Sequence, residues 1–466
     1  MKLPGSIIKF ANIFHENNFQ IFLVGGAVRD YLRGEKHIDY DFATDATPQE
    51  VIEIFNNVIP VGIKHGTVIV IFAENEFEVT TFRTEDKYSD NRHPDKVNFV
   101  KSIDEDLARR DFTINAFAYD ILNKNLIDNY NGNIDLKNKL IRTIGDPEVR
   151  FKEDYLRMLR ACRFAGKLNF KIEENTFLAI KKLSKNIKNI AVERIRDELI
   201  KIMLSPRPSI GLEYMRISDL MTYILPELNE CYNIVQNRFH KYDVYYHNLY
   251  TCDAAPQDNY RIRLAALFHD IAKPRTKRGK EDLEDENSFY NHEIIGAKIA
   301  SKILKSLKFS NYDIKYITHL IKYHMFYYTY EWTDGAVRRF IRNVGIENLE
   351  DLFTLRDADR IGNGMKQGIP EIYLDFKDRI KKILEIDNAF KIKDLDINGD
   401  IIMETISLKP GPIIGEILNY LLELVLDHPD YNKKKILIDK AKEYYERKRG
   451  YSQKNYGKNP EELGRF

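Results

Sequence analysis

One change in hydrophobic period, near residue 150, constrains this chain more than any other feature. Before it, apolar residues run in short strand-like stretches between glycine-rich or polar turns. From about Glu153 they recur every three or four residues, the spacing of amphipathic helices. The pattern predicts an α+β head followed by an all-helical remainder. In the head, IFLVGGAVRDYLRG (21–34) reads as a strand, a Gly-Gly turn and a helix start, and IDYDFATDA (38–46) as a strand with two faces. Thr47, Pro48 and Glu50 predict a helix N-terminus with a capping box. GTVIVIFAENEFEVTTF (66–82) predicts a hairpin turning at Glu74-Asn75, and the charged run 83–98 a loop. Helices are expected at 153–170, 176–187 and 191–204. SPRPS (205–209) breaks the pattern, and the rest stays helical apart from loops at 274–288 and 362–370.

Lys and Arg number 72 and Asp and Glu 71. The near-zero balance excludes a histone-like polycation but not a nucleic-acid enzyme, whose basic stripe can be offset elsewhere. Cys162, Cys231 and Cys252 are scattered and form no CxxC pair, so neither a disulfide framework nor a zinc ribbon is expected, and a reducing cytosol fits. MKLPGSIIKFANIF carries Lys9 and Asn12 inside its apolar stretch, a poor signal peptide. No run approaches the ~18 apolar residues of a membrane span. A cytoplasmic protein is expected.

Gly25 and Gly26, between a strand and a helix, let backbone N–H groups approach a phosphate. Alone, such a pair marks many ordinary turns. Asp39 and Asp41 are two residues apart, so in a strand both side chains leave one face. Two adjacent carboxylates repel unless a cation neutralises them, and an oxygen-rich site of that kind suits Mg²⁺. An isolated DxD is as readily a solvated strand face.

Here it is not isolated. Gly25-Gly26, Arg29-Asp30 and Asp39-x-Asp41 together resemble the signature of the polymerase-β-like nucleotidyltransferases. LVGGAVRDYLRG and DYDFATDATPQE are similar to the class II tRNA nucleotidyltransferase and bacterial poly(A) polymerase family. The likeness continues, in order, through RRDFTINAFAYD (109–120), DNYNGNIDL (128–136), GDPEVRFKEDYLRMLRACRFA (145–165) and VERIRDEL (192–199). It implies transfer of a nucleoside monophosphate from CTP or ATP to an RNA 3′-hydroxyl, with two-metal catalysis by Mg²⁺ on Asp39 and Asp41. Glu78 is a candidate third carboxylate or a surface acid. The resemblance assigns nucleotide binding to Gly26, Arg29, Arg110, Asp154, Arg157, Arg160 and Arg163. Asp154 and Arg157, three apart on a predicted helix, would read the base: the carboxylate accepts from N4 of cytosine or N6 of adenine and the arginine donates to the ring nitrogen beside it. The other readings are an internal helical ion pair, Arg29 bridging to Asp30, and Arg110 pairing with Asp111. The loop 83–98 fits the change of shape needed to follow two cytosines with one adenine. Untemplated C, C and A addition to tRNA is therefore preferred, with poly(A) synthesis and A-only addition as alternatives.

A second set resembles the HD phosphohydrolase superfamily: HNLYTCD (247–253), RLAALFHDIAKP (263–274), FYNHEIIGAKIA (289–300), IKYHM (321–325) and LRDADRIG (355–362). The match implies a second divalent metal on His247, His269, Asp270 and Asp359, with His292 and His324 as further ligands and Asp357 an alternative to Asp359. Such a domain is either a phosphohydrolase or a retained scaffold. A rival of another class is an HD phosphohydrolase whose head only binds RNA. The resemblances together imply a polymerase-β-like head (1–140), a helical neck (141–235), an HD domain (236–365) and a helical body with a basic tail (366–466). The partners implied are tRNA, CTP and ATP, with no membrane and no obligate protein partner.

Overall fold

The apolar strand at 21–24 is buried at all four positions because hydrophobic clusters cover both of its faces. In the computed structural model, which describes residues 1–35, 39–85, 97–278, 287–365, 368, 370–386 and 390–456, the head carries helices α1 (Gly5–Glu16), α2 (Gly26–Leu32), α3 (Pro48–Ile54), α4 (Ile103–Ala108) and α5 (Gly132–Lys137). Its strands are β1 (Ile21–Val24), β2 (Asp41–Thr44), β3 (Val58–Ile59), β4 (Thr67–Phe72), β5 (Asn75–Thr81), β6 (Arg83–Glu85), β7 (Val97–Phe99), β8 (Ala118–Asp120) and β9 (Asn125–Ile127). Seven form one sheet in the order β3-β4-β5-β2-β1-β8-β9. The β2–β5 pairing is parallel and the others antiparallel, so the sheet is mixed. Ile21 and Leu23 join the cluster beneath α1, and Phe22 and Val24 pack with Phe82 and Leu107 on the opposite face. In the first cluster the Phe10 ring of α1 lies 4.8 to 5.5 Å from Phe14, Phe42, Phe55, Phe72 and Phe77.

Local rules explain most boundaries. The capping box forms: Thr47 Oγ1 accepts from Glu50 N, and Glu50 Oε2 accepts from Thr47 N. The hairpin turns one residue earlier than expected, because Phe72 pairs with Asn75 and leaves Ala73 and Glu74 as the two turn residues. Both have positive φ, as a tight two-residue hairpin turn requires. Asp39 precedes its strand, which begins at Asp41. The expected loop 83–98 is bounded by the pair β6–β7, and its residues 86–96 lie outside the described ones.

The neck holds β10 (Leu140–Ile141), β11 (Lys171–Ile172), α6 (Pro147–Glu153), α7 (Leu156–Leu168), α8 (Glu174–Leu183), α9 (Val192–Met203) and α10 (Pro208–Ile217). The parallel pair β10–β11 ties the segment before α6 to the one after α7. Helices α7 and α10 cross closely, since a Cβ at Gly166 would stand 2.8 Å from Arg207 O and one at Gly211 2.8 Å from Cys162 O.

Two compact units emerge, Met1–Ile321 with Ala358–Met365, and Lys322–Asp357 with Lys366–Phe466. The second is helical, with Phe376 fully buried and stacked 4.1 Å from the Tyr328 ring. Arg339 and Arg342 of Asp334–Val344 pair with Glu423 of Pro412–Asp427. Among the described residues no helix is long and apolar enough to cross a membrane.

Candidate active site

The strand-to-helix turn after β1 admits only glycine at its first position. Gly25 has φ +62°, and a Cβ there would lie 2.6 Å from Arg110 Nη1. The close approach places two guanidiniums beside the turn. Arg29, 3% exposed, donates Nε and Nη2 to Asp30 at 2.8 Å each and Nη1 to Asn115 Oδ1 at 2.6 Å. Arg110 donates to Asn115 O at 3.2 Å and to Asp106 Oδ2 at 3.1 Å. The bland pairing for Arg29 thus forms, and the one for Arg110 does not. Asp111 belongs instead to Arg160, whose Nε donates to it at 2.8 Å. Burial would raise the Asp111 pKa, but Arg160 and the Asn115 amide pull it down to about 2.

These groups line a cleft of about 800 Å³. All seven residues assigned to nucleotide binding border it: Gly26, Arg29, Arg110, Asp154, Arg157, Arg160 and Arg163. Its lining holds eight arginines and Lys167 against Asp111 and Asp154, so it presents donors and positive charge to any anion that enters.

The sheet brings Glu78 beside one of the two expected carboxylates. Asp41 of β2 stands opposite Glu78 of β5 in the parallel register. Although Asp41 is an exposed residue, the walls around its carboxylate limit its solvation. That desolvation, followed by the charges of Glu78 and Asp39, lifts its pKa to about 6 against the pull of Arg110 and Arg29. Three like charges on one patch beside cationic side chains make a hard-oxygen site that a divalent cation would relieve.

For the two residues expected to read the base, the geometry needs correction. Asp154 and Arg157 do not share a helix, because Asp154 breaks the chain between α6 and α7 with φ −150° and ψ 105°. Arg157 pairs with Glu153 and donates to Arg150 O and Arg109 O. Asp154 is held by Arg194 of α9, with Nη2 to Oδ2 at 2.7 Å and Nη1 to Oδ1 at 3.2 Å. One turn further along α9, buried Glu198 stands 2.9 Å from Arg163 Nε. Sequence reasoning passed over Arg194, Glu198, Asp106 and Asn115. Their signal was present, since Arg194 and Glu198 sit in VERIRDEL, Asn115 in RRDFTINA and Asp106 just before it, but a block does not say which side chain braces which.

A second cluster lies in the first unit. His247 Nε2 is 3.1 Å from His269 Nε2, 3.1 Å from Asp359 Oδ1 and 3.4 Å from Asp270 Oδ2. The ligand atoms of His247, His269 and Asp359 all lie within 4.8 Å of one another. His292 Nε2 is 3.2 Å from Asp270 Oδ1, and Lys273 Nζ is 2.6 Å from Asp270 Oδ2. His269 and His292 each direct Nδ1 at a carbonyl, Ala266 O and Phe289 O, which leaves Nε2 as the inward lone pair. Lone pairs facing carboxylates call for a cation between them. A proton can serve: burial opposes it, but hydrogen bonds to Asp270 and Asp359 raise the His247 pKa to about 9. A metal suits the same donor set. Asp359 rather than Asp357 joins this cluster. Asp357 and His324 belong to the second unit, where Asp357 lies 3.4 Å from Lys377 Nζ.

Three family models match the chain: a poly A polymerase head domain over residues 21–142, a probable RNA and SrmB-binding site of polymerase A over 169–232, and a putative tRNA nucleotidyltransferase domain 2 over 290–441. The chain is 35% identical over 434 residues to a CCA-adding enzyme of Ligilactobacillus salivarius, covering 93% of this chain and 95% of that protein. It is 49% identical over 208 residues to one of Lactobacillus helveticus, covering 44% and 52%. Its fold is similar to a solved structure of the Bacillus stearothermophilus CCA-adding enzyme in complex with CTP, with TM-score 0.74, 26% identity, and coverage of 97% of this chain and 100% of that one.

Proposed function

This chain belongs to the family of CCA-adding enzymes, and we propose that it extends tRNA 3′ ends with C, C and A, untemplated, from CTP and ATP in the cytoplasm. The observation that carries the reading is the convergence of the seven nucleotide-binding candidates on one cleft beside the carboxylates. The similar enzyme from B. stearothermophilus, solved with CTP, supports the same substrate class.

In the proposed reaction the tRNA 3′-oxygen bonds to the α-phosphorus of the nucleotide, the α–β bridging bond breaks, and pyrophosphate leaves. Arg29 and Arg110, held from behind by Asp30, Asn115 and Asp106, grip phosphate oxygens without reorganising. Asp39 and Asp41, with Glu78 as third ligand, would hold Mg²⁺, which supplies acidification of the attacking hydroxyl and neutralisation of the leaving group. Asp154 accepts an exocyclic amino hydrogen, and Arg157 donates to the neighbouring ring nitrogen. Uracil and guanine oppose both contacts with an oxo group and a ring N–H, and a buried polar mismatch of that kind rejects a substrate by factors of about 10⁴. We divide the chain accordingly into head 1–140, neck 141–235, HD-like segment 236–365, and body with tail 366–466.

The test is a tRNA ending at its discriminator base, incubated with CTP, ATP or both, followed by 3′-end sequencing. C-C from CTP and C-C-A from the mixture are expected. A-tracts, or no cytidine incorporation, would overturn the reading in favour of poly(A) synthesis or A-only addition.

The His247, His269, Asp359 cluster favours a second activity. We infer that, with Asp270, it holds a divalent metal and activates water against a phosphoester. Metal analysis of the intact protein and of His269→Ala tests this: retention of all bound metal by the variant rejects the site.

A further inference from the structure

Asp154 sits at a break between two helices, so its backbone does not fix where its carboxylate points. What fixes it is Arg194. The guanidinium grips both oxygens as a fork, Nη2 to Oδ2 at 2.7 Å and Nη1 to Oδ1 at 3.2 Å, while Leu156 N donates to Oδ1 at 3.0 Å. A carboxylate offers about four acceptor directions. Three are filled, and Oδ2 keeps one. A single directed acceptor selects a base that brings one amino hydrogen to that position. An unbraced carboxylate turns, and can accept from a ring N–H as well. Among the described residues the Arg157 guanidinium makes no hydrogen bond to the Asp154 carboxylate, and the two residues are joined through the backbone, Arg157 N to Asp154 O at 3.0 Å. The guanidinium is held separately by Glu153 and by the carbonyls of Arg150 and Arg109. The two halves of the base reader therefore depend on different braces.

We propose that Arg194 is a specificity-determining positioning residue, which selects cytosine and adenine over uracil and guanine through its fork on Asp154. The proposal rests on the reading of Asp154 as a base contact. It goes further in assigning selectivity to a residue on another helix, α9, which lies in the segment similar to an RNA-binding family model. Lysine carries the charge but only a point donor, so Arg194→Lys keeps the ion pair and loses the fork. A general loosening of the neck would weaken all four nucleotides alike. Loss of the fork lowers the ratio of kcat/KM for CTP over UTP and for ATP over GTP.

The experiment measures those ratios on a tRNA substrate for the full-length wild type, Arg194→Ala, Arg194→Lys, Asp154→Ala and the Asp154→Ala/Arg194→Ala double variant, each checked for an unchanged melting temperature. We expect the ratios to fall at least about tenfold in Arg194→Ala and by an intermediate amount in Arg194→Lys. The double variant should be no less selective than Asp154→Ala, because the brace acts only through that carboxylate. If Asp154→Ala loses selectivity while Arg194→Ala or Arg194→Lys keeps the wild-type ratios, the assignment of Arg194 is overturned and the base reading by Asp154 stands. If Asp154→Ala itself keeps the ratios, the base reading fails and the assignment fails with it.

Discussion

Replacing Gly25 and Gly26 by alanine, one at a time, should separate two adjacent glycines that look alike in the sequence. At Gly25 the backbone has φ +62° and ψ −124°, a region in which an L side chain costs about 1–3 kcal/mol. The new Cβ would also stand 2.6 Å from Arg110 Nη1, which donates to Asn115 O at 3.2 Å. Moving that guanidinium forfeits a charged hydrogen bond worth about 1.5–3 kcal/mol. The sum is about 2.5–6 kcal/mol, a large part of a domain's ordinary stability. At Gly26, the first residue of α2, an added Cβ would meet only Arg29 Nη2 at 3.5 Å, an ordinary contact. Gly26→Ala should therefore fall within about 1 kcal/mol of wild type. Hydrogen exchange on peptides spanning β1 and α2, alongside thermal melting, reads the head apart from the helical remainder. Gly25→Ala should also raise the KM for CTP, as Arg110→Ala should. Wild-type protection in Gly25→Ala, or equal losses in the two variants, would refute the reasoning.

Asp111→Asn should flatten the acid limb of stability. The native pKa of about 2 lies below the ordinary 3.8, so Asp111 contributes stability above the unfolded value that is lost as pH falls from about 4 through about 2. That depression corresponds to about 2 kcal/mol, read as the difference between the two proteins' denaturation curves at pH 7 and pH 2. Phe10→Ala, which empties the centre of the ring cluster beneath the sheet, should destabilise the head by about 3–5 kcal/mol in a denaturant titration, and a cost under about 1 kcal/mol would contradict the packing. Glu198→Gln should raise the KM for CTP and ATP together, several-fold, and leave their selectivity over UTP and GTP unchanged in steady-state assays.

How much was legible depended on whether a feature is local. The Gly-Gly turn, the capping box at Thr47 and the strand at 21–24 follow from neighbours a few residues apart, and each formed as read apart from small shifts of boundary. Asp154 and Arg157 were seen, but their relation was misread. Spacing on an assumed helix put them on one face, whereas the chain breaks at Asp154 and their partners come from positions 194 and 153. That Glu78 stands beside Asp41 could not be read from the sequence, because it follows from the parallel β2–β5 register, a property of two strands together. Asp357 and Asp359 were equivalent on paper, and only packing separates them.

The same limit explains why a net charge of +1 conceals a strongly cationic cleft. Its arginines are built in pairs with acids: Arg29 with Asp30, Arg110 with Asp106, Arg160 with Asp111, Arg163 with Glu198 and Arg194 with Asp154. Summed over the chain, each pair vanishes. In the fold, each acid stands against its guanidinium, as a two-point fork in the Arg29–Asp30 and Arg194–Asp154 pairs, and offsets the repulsion of packing guanidiniums side by side. This makes the sign of the Glu198→Gln result diagnostic. If the cleft bound phosphates by net charge alone, removing an acid would leave it more positive and tighten nucleotide binding. If the acids act by holding each guanidinium in place before the ligand arrives, the more positive variant binds more weakly. A fall in KM would sink the preorganised view, and a rise cannot be had from bulk electrostatics.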